Sequence, residues 1–492
     1  MAVLRDRLGR ATRAPAAKAT ASCHEIQALV SVQAGAHSYG GHHGGPVSTS
    51  DRGQEAQGRR VAAIVANTCV NDSRVLKEAE ALAAAGYRVR VFCLAGPGLP
   101  EIEVKGGVEY ERIERPWKLE AASKLPARGT VAGAPPKRPP GAQRPPQPES
   151  LARRLKVMTA MFLDHELNAW TFQRHVKRFA PHIVHAHDFN VLPVAVRAAR
   201  GTGARVVYDM HELEEGRFGL DNAILRRWKS LIERRCLRNV SATITVSPSI
   251  AVHHAKKYGR PLPTLVLNAP RVDLARPGGA GVRSACGLDA QAPLAVYVGK
   301  VSPGRGVELI LEALLRLPGM HLAIVGTVDP GLEWAVDRYL HARALRGRLH
   351  FPGPVPSDEV VPFIRSADLG ICTILNSCLN YEYCLPNKLF EMTFAGLPLV
   401  VSGNIELKGF VAATGTGVAA GAHTAEAIAG AVRHVFAARA TLRPSAAKLA
   451  ELYKKYGWPR QQERLLDLYR DLSSPRGSSR RREQTGSPVM SA

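Results

Sequence analysis

Four short stretches combine residue types that can bind an oxyanion, hold a ribose or line a polar cleft. In Val298-Gly299-Lys300-Val301-Ser302-Pro303-Gly304-Arg305-Gly306, an apolar run ends in a glycine and two cations follow, five positions apart, before a helical pattern. An ammonium, a guanidinium and free backbone N–H groups at a helix start all stabilise phosphate oxygens, so Gly299, Lys300 and Arg305 suit a diphosphate. Leu385-Pro386-Asn387-Lys388-Leu389-Phe390-Glu391-Met392 offers a second anion site. Pro386 fits the first helical position, which turns the amides of Asn387 and Lys388 outward, and Glu391 one turn further in can accept both hydroxyls of a ribose.

The third stretch, Val207-Tyr208-Asp209-Met210-His211-Glu212-Leu213, sets Asp209, His211 and Glu212 after a strand-like run. A zinc-protease H-E-x-x-H fails here because Glu215 holds the second histidine position, so no metal is expected. The fourth, His185-Ala186-His187-Asp188, offers two histidines and an aspartate that could bind a metal, but alternation puts His185 and His187 on one side of a strand, where they are read instead as lining a cleft. Gly415-Thr416-Gly417-Val418-Ala419-Ala420 matches G-x-G-x-x-A but lacks a preceding strand, and Ala437 stands where a dinucleotide-binding acid belongs. Neither a Walker A sequence nor a G-x-S-x-G elbow occurs.

The elements that must carry these stretches alternate. Strands are expected at Val61–Ala66, Val89–Phe92, His182–Ala186, Arg205–Tyr208 and Ala242–Val246, with helical spacing between them, notably from Arg74 and over Asn222–Arg238. After a Pro/Gly-rich linker the alternation restarts, with strands at Leu294–Val298, Leu322–Val325, Leu349–Phe351, Leu369–Cys372 and Pro398–Val401 and helices such as Val307–Leu317 and Asp358–Ser366. Such alternation predicts an α/β chain of two domains, each a parallel sheet covered on both faces. Ligands of open parallel sheets sit beyond the carboxyl ends of the strands, which is where all four stretches fall. The domains are drawn at 59–275, with a Pro-rich loop 125–148, and at 280–457. An unstructured extension 1–58, a last helix 458–473 and a basic tail 474–492 complete the 492 residues.

Composition sets the outer limits. Lys and Arg number 66 against 42 Asp and Glu, a net charge of +24, which calls for an acidic partner such as phosphate, anionic lipid or nucleic acid. The excess is concentrated: residues 117–178 hold 12 basic and 4 acidic side chains. The eight cysteines are scattered with no C-x-x-C, which reads as reduced core thiols in a cytosolic protein. No run approaches a transmembrane helix, and the first fifty residues lack the apolar core of a secretory signal, though their Arg/Ala/Ser bias is shared with transit peptides. A basic face on Asn222–Arg238, opposite Leu225, Trp228, Ile232 and Cys236, reads either as the solvated side of a packed helix or as a surface for an anionic membrane.

Together these stretches resemble the retaining glycosyltransferases of family 4, which have the GT-B fold, in the subgroup whose donor helix opens Pro386-Asn387-Lys388-Leu389-Phe390-Glu391. The resemblance runs from about Val61 to Tyr469. It implies two Rossmann-like domains facing across a cleft, with the C-terminal helix crossing back onto the N-terminal domain. It implies that Gly299, Lys300, Arg305, Pro386, Asn387, Lys388 and Glu391 bind a nucleotide-sugar donor and that His211 faces the transferred sugar. Asp72, Arg74, His187 and Asp188 then lie on the side of a glycan or lipid-linked acceptor. It further implies transfer with retention, a nucleotide sugar as substrate with no cofactor, no nucleic-acid partner, and no metal, in keeping with the lack of any D-x-D. The expected setting is cytoplasmic, or peripheral on the inner face of the cell membrane, in polysaccharide or envelope synthesis. One departure is that Tyr383 stands where many members carry an acid, with Glu382 one step out of register. An inactive or accessory GT-B protein, a nucleotide-sugar epimerase, a phosphorylase of similar fold and a basic nucleic-acid-binding protein are the alternatives.

Overall fold

The structure, a computed structural model, describes residues 58–114, 169–217, 222–276 and 279–474. The expectations for residues 1–57, for the Pro-rich loop 125–148 and for the tail beyond 474 lie outside the described residues. The chain builds two sheets. The first contains β1 (Arg60–Ile64), β2 (Arg88–Leu94), β3 (Ile102–Lys105), β4 (Val108–Ile113), β5 (Ile183–His187), β6 (Arg205–Met210), β7 (Ala242–Thr245) and β8 (Thr264–Leu265), in the order β3-β4-β2-β1-β5-β6-β7-β8. Its helices include α1 (Ser73–Ala84), α2 (Leu192–Arg200), α3 (Ala223–Leu237) and α4 (Pro248–Tyr258).

The second sheet contains β9 (Leu294–Val298), β10 (His321–Val325), β11 (Leu349–His350), β12 (Leu369–Cys372), β13 (Leu399–Val401) and β14 (Gly417–Ala419), in the order β11-β10-β9-β12-β13-β14. With it go α5 (Val307–Leu314), α6 (Asn387–Phe394), α7 (Ile405–Thr414) and α8 (Ala425–Ala437), followed by α9 (Ala446–Tyr456) and α10 (Trp458–Ser473). All six strands run parallel. Both faces of each sheet are covered, as near-continuous apolar strands require. Along β1, Val61 and Ala63 enter one core cluster while Ala62 and Ile64 enter another, and in β9 Val296 and Tyr297 divide in the same way.

Strand order marks where ligands belong. In the first sheet the chain moves one way from β1 and the other way from β5, so the switch point lies between them; in the second it lies between β9 and β12. Loops leaving two strands in opposite directions open a crevice at such a point. Asn67 and Asp72 follow β1, His187 and Asp188 close β5, Gly299 to Gly306 follow β9, and the segment up to Pro386 follows β12.

The edge pair β3–β4 was not anticipated. It is antiparallel, turns on Gly106-Gly107 with φ of 59° and 76°, and exposes Ile102 and Val104. Two successive positive φ angles are what a tight hairpin turn demands and glycine supplies. The stretch set aside at Gly415 is itself an element boundary: Gly415 is the left-handed cap of α7 and Gly417–Ala419 is β14. Pro386 stands one place before its expected position, as the extended N-cap residue of α6.

Helix α10 crosses back to the first domain. Leu465 and Tyr469 are fully buried in the cluster built on β1, β2 and α1. Arg464 donates to the Leu265 carbonyl at 3.2 Å, and Gln461 Oε1 accepts from Leu267 N at 3.0 Å.

Candidate active site

The donor-side loop begins where β9 meets its neighbour at close range. A Cβ on Gly326 would stand 2.3 Å from the Gly299 carbonyl oxygen, so the ends of β9 and β10 approach as only glycine allows. Lys300 is half exposed and pairs with Asp329 at 2.9 Å. Arg305 lies over the Tyr381 ring, 5.4 Å from its centre, and its carbonyl accepts from Thr373 Oγ1 at 3.1 Å, which ties the β9 loop to the end of β12.

Helix α6 starts without a side-chain cap, leaving its first amides available. Lys388 turns inward instead: its Nζ donates to Tyr297 Oη at 2.7 Å, and Tyr297 Oη reaches the Lys300 carbonyl at 3.3 Å. Burial holds the Lys388 ammonium down at about 8. Glu391 lies beside it. Burial pushes its carboxyl up to about 7, against the opposing pull of Lys77 and Lys388. Lys77 is on α1 of the first domain and donates to the Ala269 carbonyl at 2.5 Å, so its influence on Glu391 crosses between the halves.

On the facing side a buried polar cluster sits at the ends of β5 and β6. Arg74 is 2% exposed, and its guanidinium forks onto both oxygens of Asp209 at 2.8 Å, donates to the Val266 carbonyl and pairs with Glu78 at 3.1 Å. Asp209 Oδ2 also meets His211 Nε2 at 2.9 Å, while Asp188 Oδ2 lies 3.4 Å from His211 Nδ1. Burial alone would depress the His211 pKa, but Asp188 and Asp209 reverse that and raise it to about 9, so the ring is cationic at neutral pH. Asp188 holds φ at 72°, a strained angle for a non-glycine residue, and its Oδ1 accepts from His211 N at 3.2 Å.

The expectation that His185 and His187 line an open cleft is corrected. They do share one side of β5 and stack at 4.2 Å, yet both are buried, and Tyr469 of α10 covers His185 with a 2.8 Å hydrogen bond to Nδ1. Arg74 is likewise sealed from any acceptor and acts by holding Asp209. Asp72 caps α1, accepting from Val75 N at 3.3 Å and from Asn67 Nδ2 at 2.8 Å. Potential ligand atoms of Glu78, His185, His187 and Asp209 lie within 4.8 Å of one another. Arg74 bridges the two carboxylates of this group, 3.1 Å from Glu78 and 2.8 Å from Asp209.

The two sides touch. Asn380 Oδ1 accepts from Leu213 N at 2.8 Å, and Glu406 Oε1 accepts from Ser249 N at 2.6 Å. His211 and Arg305 are thereby drawn toward one cleft, since Leu213 lies two residues past His211 and Tyr381, next to Asn380, underlies Arg305. Tyr383 packs on Leu213, Val246 and Ile250, and Glu382 accepts from Ile405 N at 3.0 Å at the start of α7. Sequence reading included Lys77 and Glu78 in the acceptor-side stretch Asn71–Ala79 without giving either a role, and passed over Tyr297, Asp329 and Tyr381. Only Glu78 carried a signal, an acid four positions after Arg74 on the same helix face.

Residues 72–269 match the model of the glycosyl transferase 4-like domain, and residues 292–438 match that of the glycosyl transferases group 1. The glycogen synthase of Mycobacterium tuberculosis is 30% identical over 324 residues, which is 64% of this chain and 73% of that protein. The chain belongs to the glycosyltransferases. Solved structures agree on the fold. Sucrose-phosphate synthase from Thermosynechococcus elongatus superposes with a TM-score of 0.64 at 17% identity, over 84% of this chain and 99% of the other. Anabaena HepE in complex with UDP-glucose gives 0.60 at 13% identity, over 84% and 99%. This glycosyltransferase therefore has the GT-B fold, its two parallel sheets facing across a cleft and α10 returning to the first domain.

Proposed function

We propose that this glycosyltransferase takes its sugar from a nucleoside-diphosphate sugar and passes it, with retention of configuration and without a metal, to a glycan or lipid-linked saccharide acceptor. Its setting on this reading is the cytoplasm, at the inner face of the cell membrane, in polysaccharide or envelope synthesis. The observation that carries the donor assignment is the meeting of Lys300, Arg305, the uncapped start of α6 and Glu391 at the switch point between β9 and β12. Breaking the anomeric bond leaves a cationic sugar and a diphosphate, so the dominant need is stabilisation of negative charge on the leaving group. Lys300, Arg305 and the amides of Asn387 and Lys388 supply that. Glu391, held near neutrality, can accept from ribose hydroxyls.

On the other wall His211, held cationic by Asp188 and Asp209, presents an N–H donor toward the transferred sugar. Asp188, half exposed beside it, is available to an acceptor hydroxyl. The relatives named glycogen synthase favour a glycan acceptor, and the HepE complex makes UDP conjugates the first donors to try. The test is a thermal-shift screen of the full chain against UDP, GDP, ADP and their sugar conjugates, with Lys300→Ala and Glu391→Ala alongside. A donor at 100 times its dissociation constant adds about 2.7 kcal/mol to stability. Stabilisation by one nucleotide, lost in both variants, supports the donor site; no shift with any of them refutes it. NMR of the product's anomeric proton decides retention.

A further inference from the structure

Helix α3 is packed on one side only. Glu233 accepts from Tyr208 at 3.0 Å and Tyr258 at 2.6 Å, Cys236 and Leu237 are buried, and Lys229 and Ser230 bind Glu214 and Glu215. The opposite side leaves large apolar groups in water: Ile224 is 77% exposed, Trp228 43% and Leu231 50%. Positions 224, 228, 231, 235 and 238 recur every three or four residues, so Ile224, Trp228, Leu231, Arg235 and Arg238 form one stripe with Arg227 beside it. This differs from the sequence reading, which put Trp228 on the packed face. The ion pairs of this region lie on the inner side, and Arg227, Arg235 and Arg238 have no carboxylate partner among the described residues.

Beside the stripe, α2 and α3 enclose a groove of about 540 Å³. Trp228, Ile232 and Cys236 give it an apolar floor, and Arg200, Arg235 and Arg238 stand around it. An apolar stripe grading into guanidinium groups, with an aromatic ring at the boundary, fits the interface of an anionic bilayer, where the apolar groups enter the acyl boundary and the arginines meet phosphates. A nucleic acid backbone would satisfy the arginines but leave Ile224 and Leu231 exposed.

We propose that the outward face of α3, with the α2–α3 groove, docks this protein on an anionic lipid surface. The docking stands apart from the donor chemistry; its consequence for the acceptor rests on the transferase reading. Lys229 and Ser230 hold the short helix Glu214–Gly216, which begins three residues after His211, so a membrane seated on α3 lies alongside the acceptor wall.

The experiment is co-sedimentation of the full chain with phosphatidylcholine vesicles with or without 30% phosphatidylglycerol, at physiological salt. Its variants are Ile224→Ser/Trp228→Ser/Leu231→Ser and Arg227→Gln/Arg235→Gln/Arg238→Gln. The proposal expects partitioning to the anionic vesicles alone, reduced at least tenfold in each variant, with far-UV circular dichroism unchanged. Indifference of both variants would assign any binding to the other basic segments and overturn it, as would failure of the native chain to bind. Loss in the arginine variant alone, with equal retention on heparin, would make the face a general polyanion site and equally overturn it.

Discussion

Lys300 and Arg305 are prepared differently for one anion. Lys300 stands half in solvent and is parked on Asp329, whose carboxyl is held below its usual range by that contact. Arg305 is fixed over Tyr381 with its backbone tied to Thr373. A preorganised cation costs no reorganisation at the transition state, so Arg305 is the more sensitive position. Arg305→Ala is expected to lower kcat by about 10²–10³-fold. Arg305→Lys should restore little, because a point charge lacks the planar fork that stacks on the ring. Steady-state kinetics with the donor found in the screen checks both. His211 makes a separate prediction in pH. Its folded pKa is raised from 6.5 to about 9, so the stability it confers is fully present below pH 6.5 and lost as pH rises through 9. Native protein should exceed His211→Gln by about 1.5–3 kcal/mol at pH 6, the range for hydrogen bonds to charged groups, and the gap should close by pH 10. Urea denaturation at several pH values measures it, and a gap that widens with pH refutes the assignment. Sequence reading put Lys300 and Arg305 directly after β9 and Glu391 one turn into α6, where the structure has them, while the role of His211 came from the resemblance alone. It misplaced Arg74 and His185, since spacing fixes which side of an element a residue faces but not what later segment covers it.

Among elements, the parallel strands were legible because strands buried on both faces are near-continuously apolar, as β9 is throughout and β1 is after Arg60. The pair β3–β4 was hidden by the interleaved charges of Val108–Ile113, and β8 and β14 were too short to show a period. Helix α10 was foreseen, though not its contact with the site. Tyr469 is fully buried and satisfies His185 Nδ1, and His185 stacks on His187 beneath His211. Tyr469→Phe keeps the packing but strands a buried imidazole nitrogen, which costs about 1–3 kcal/mol. Tyr469→Ala also opens a cavity, so a loss of about 3–5 kcal/mol is expected, by analogy with other buried aromatic truncations. If α10 merely covered the sheet, kcat would not change at temperatures where Tyr469→Phe is fully folded; coupling to His211 predicts a shifted pH profile of kcat as well. At the head of the donor loop, Gly326→Ala drives a methyl against the Gly299 carbonyl. It is expected to cost about 1–3 kcal/mol and to weaken donor binding more than Ala substitutions elsewhere on β10.

At the scale of the whole molecule, the two halves meet through groups whose charge depends on closure. Glu406 at the start of α7 accepts from Ser249 N at the start of α4, and burial there pushes its carboxyl up to about 7. In an open form Glu406 would face water and return toward 4.5, so closing takes up a proton between those values. The contribution to closure is therefore fully present below pH 4.5 and lost as pH rises through 7. Glu391 has the same sign, raised to about 7, while Lys77 facing it is depressed to about 8 by burial and by Arg74, so closure releases its proton and opposes the carboxyls only above pH 8. The native chain should consequently be more compact at pH 6 than at pH 8, as small-angle scattering would read it. Glu406→Gln keeps the carbonyl acceptor for Ser249 N without the ionisable proton, so it should flatten part of that dependence and hold the closed form at pH 8. The Asn380–Leu213 hydrogen bond has no titrating group, which makes Asn380→Ala the control: it should loosen the halves equally at both pH values. Equal compactness of native protein and Glu406→Gln across the range would assign Glu406 to static packing and leave closure to be driven by the donor.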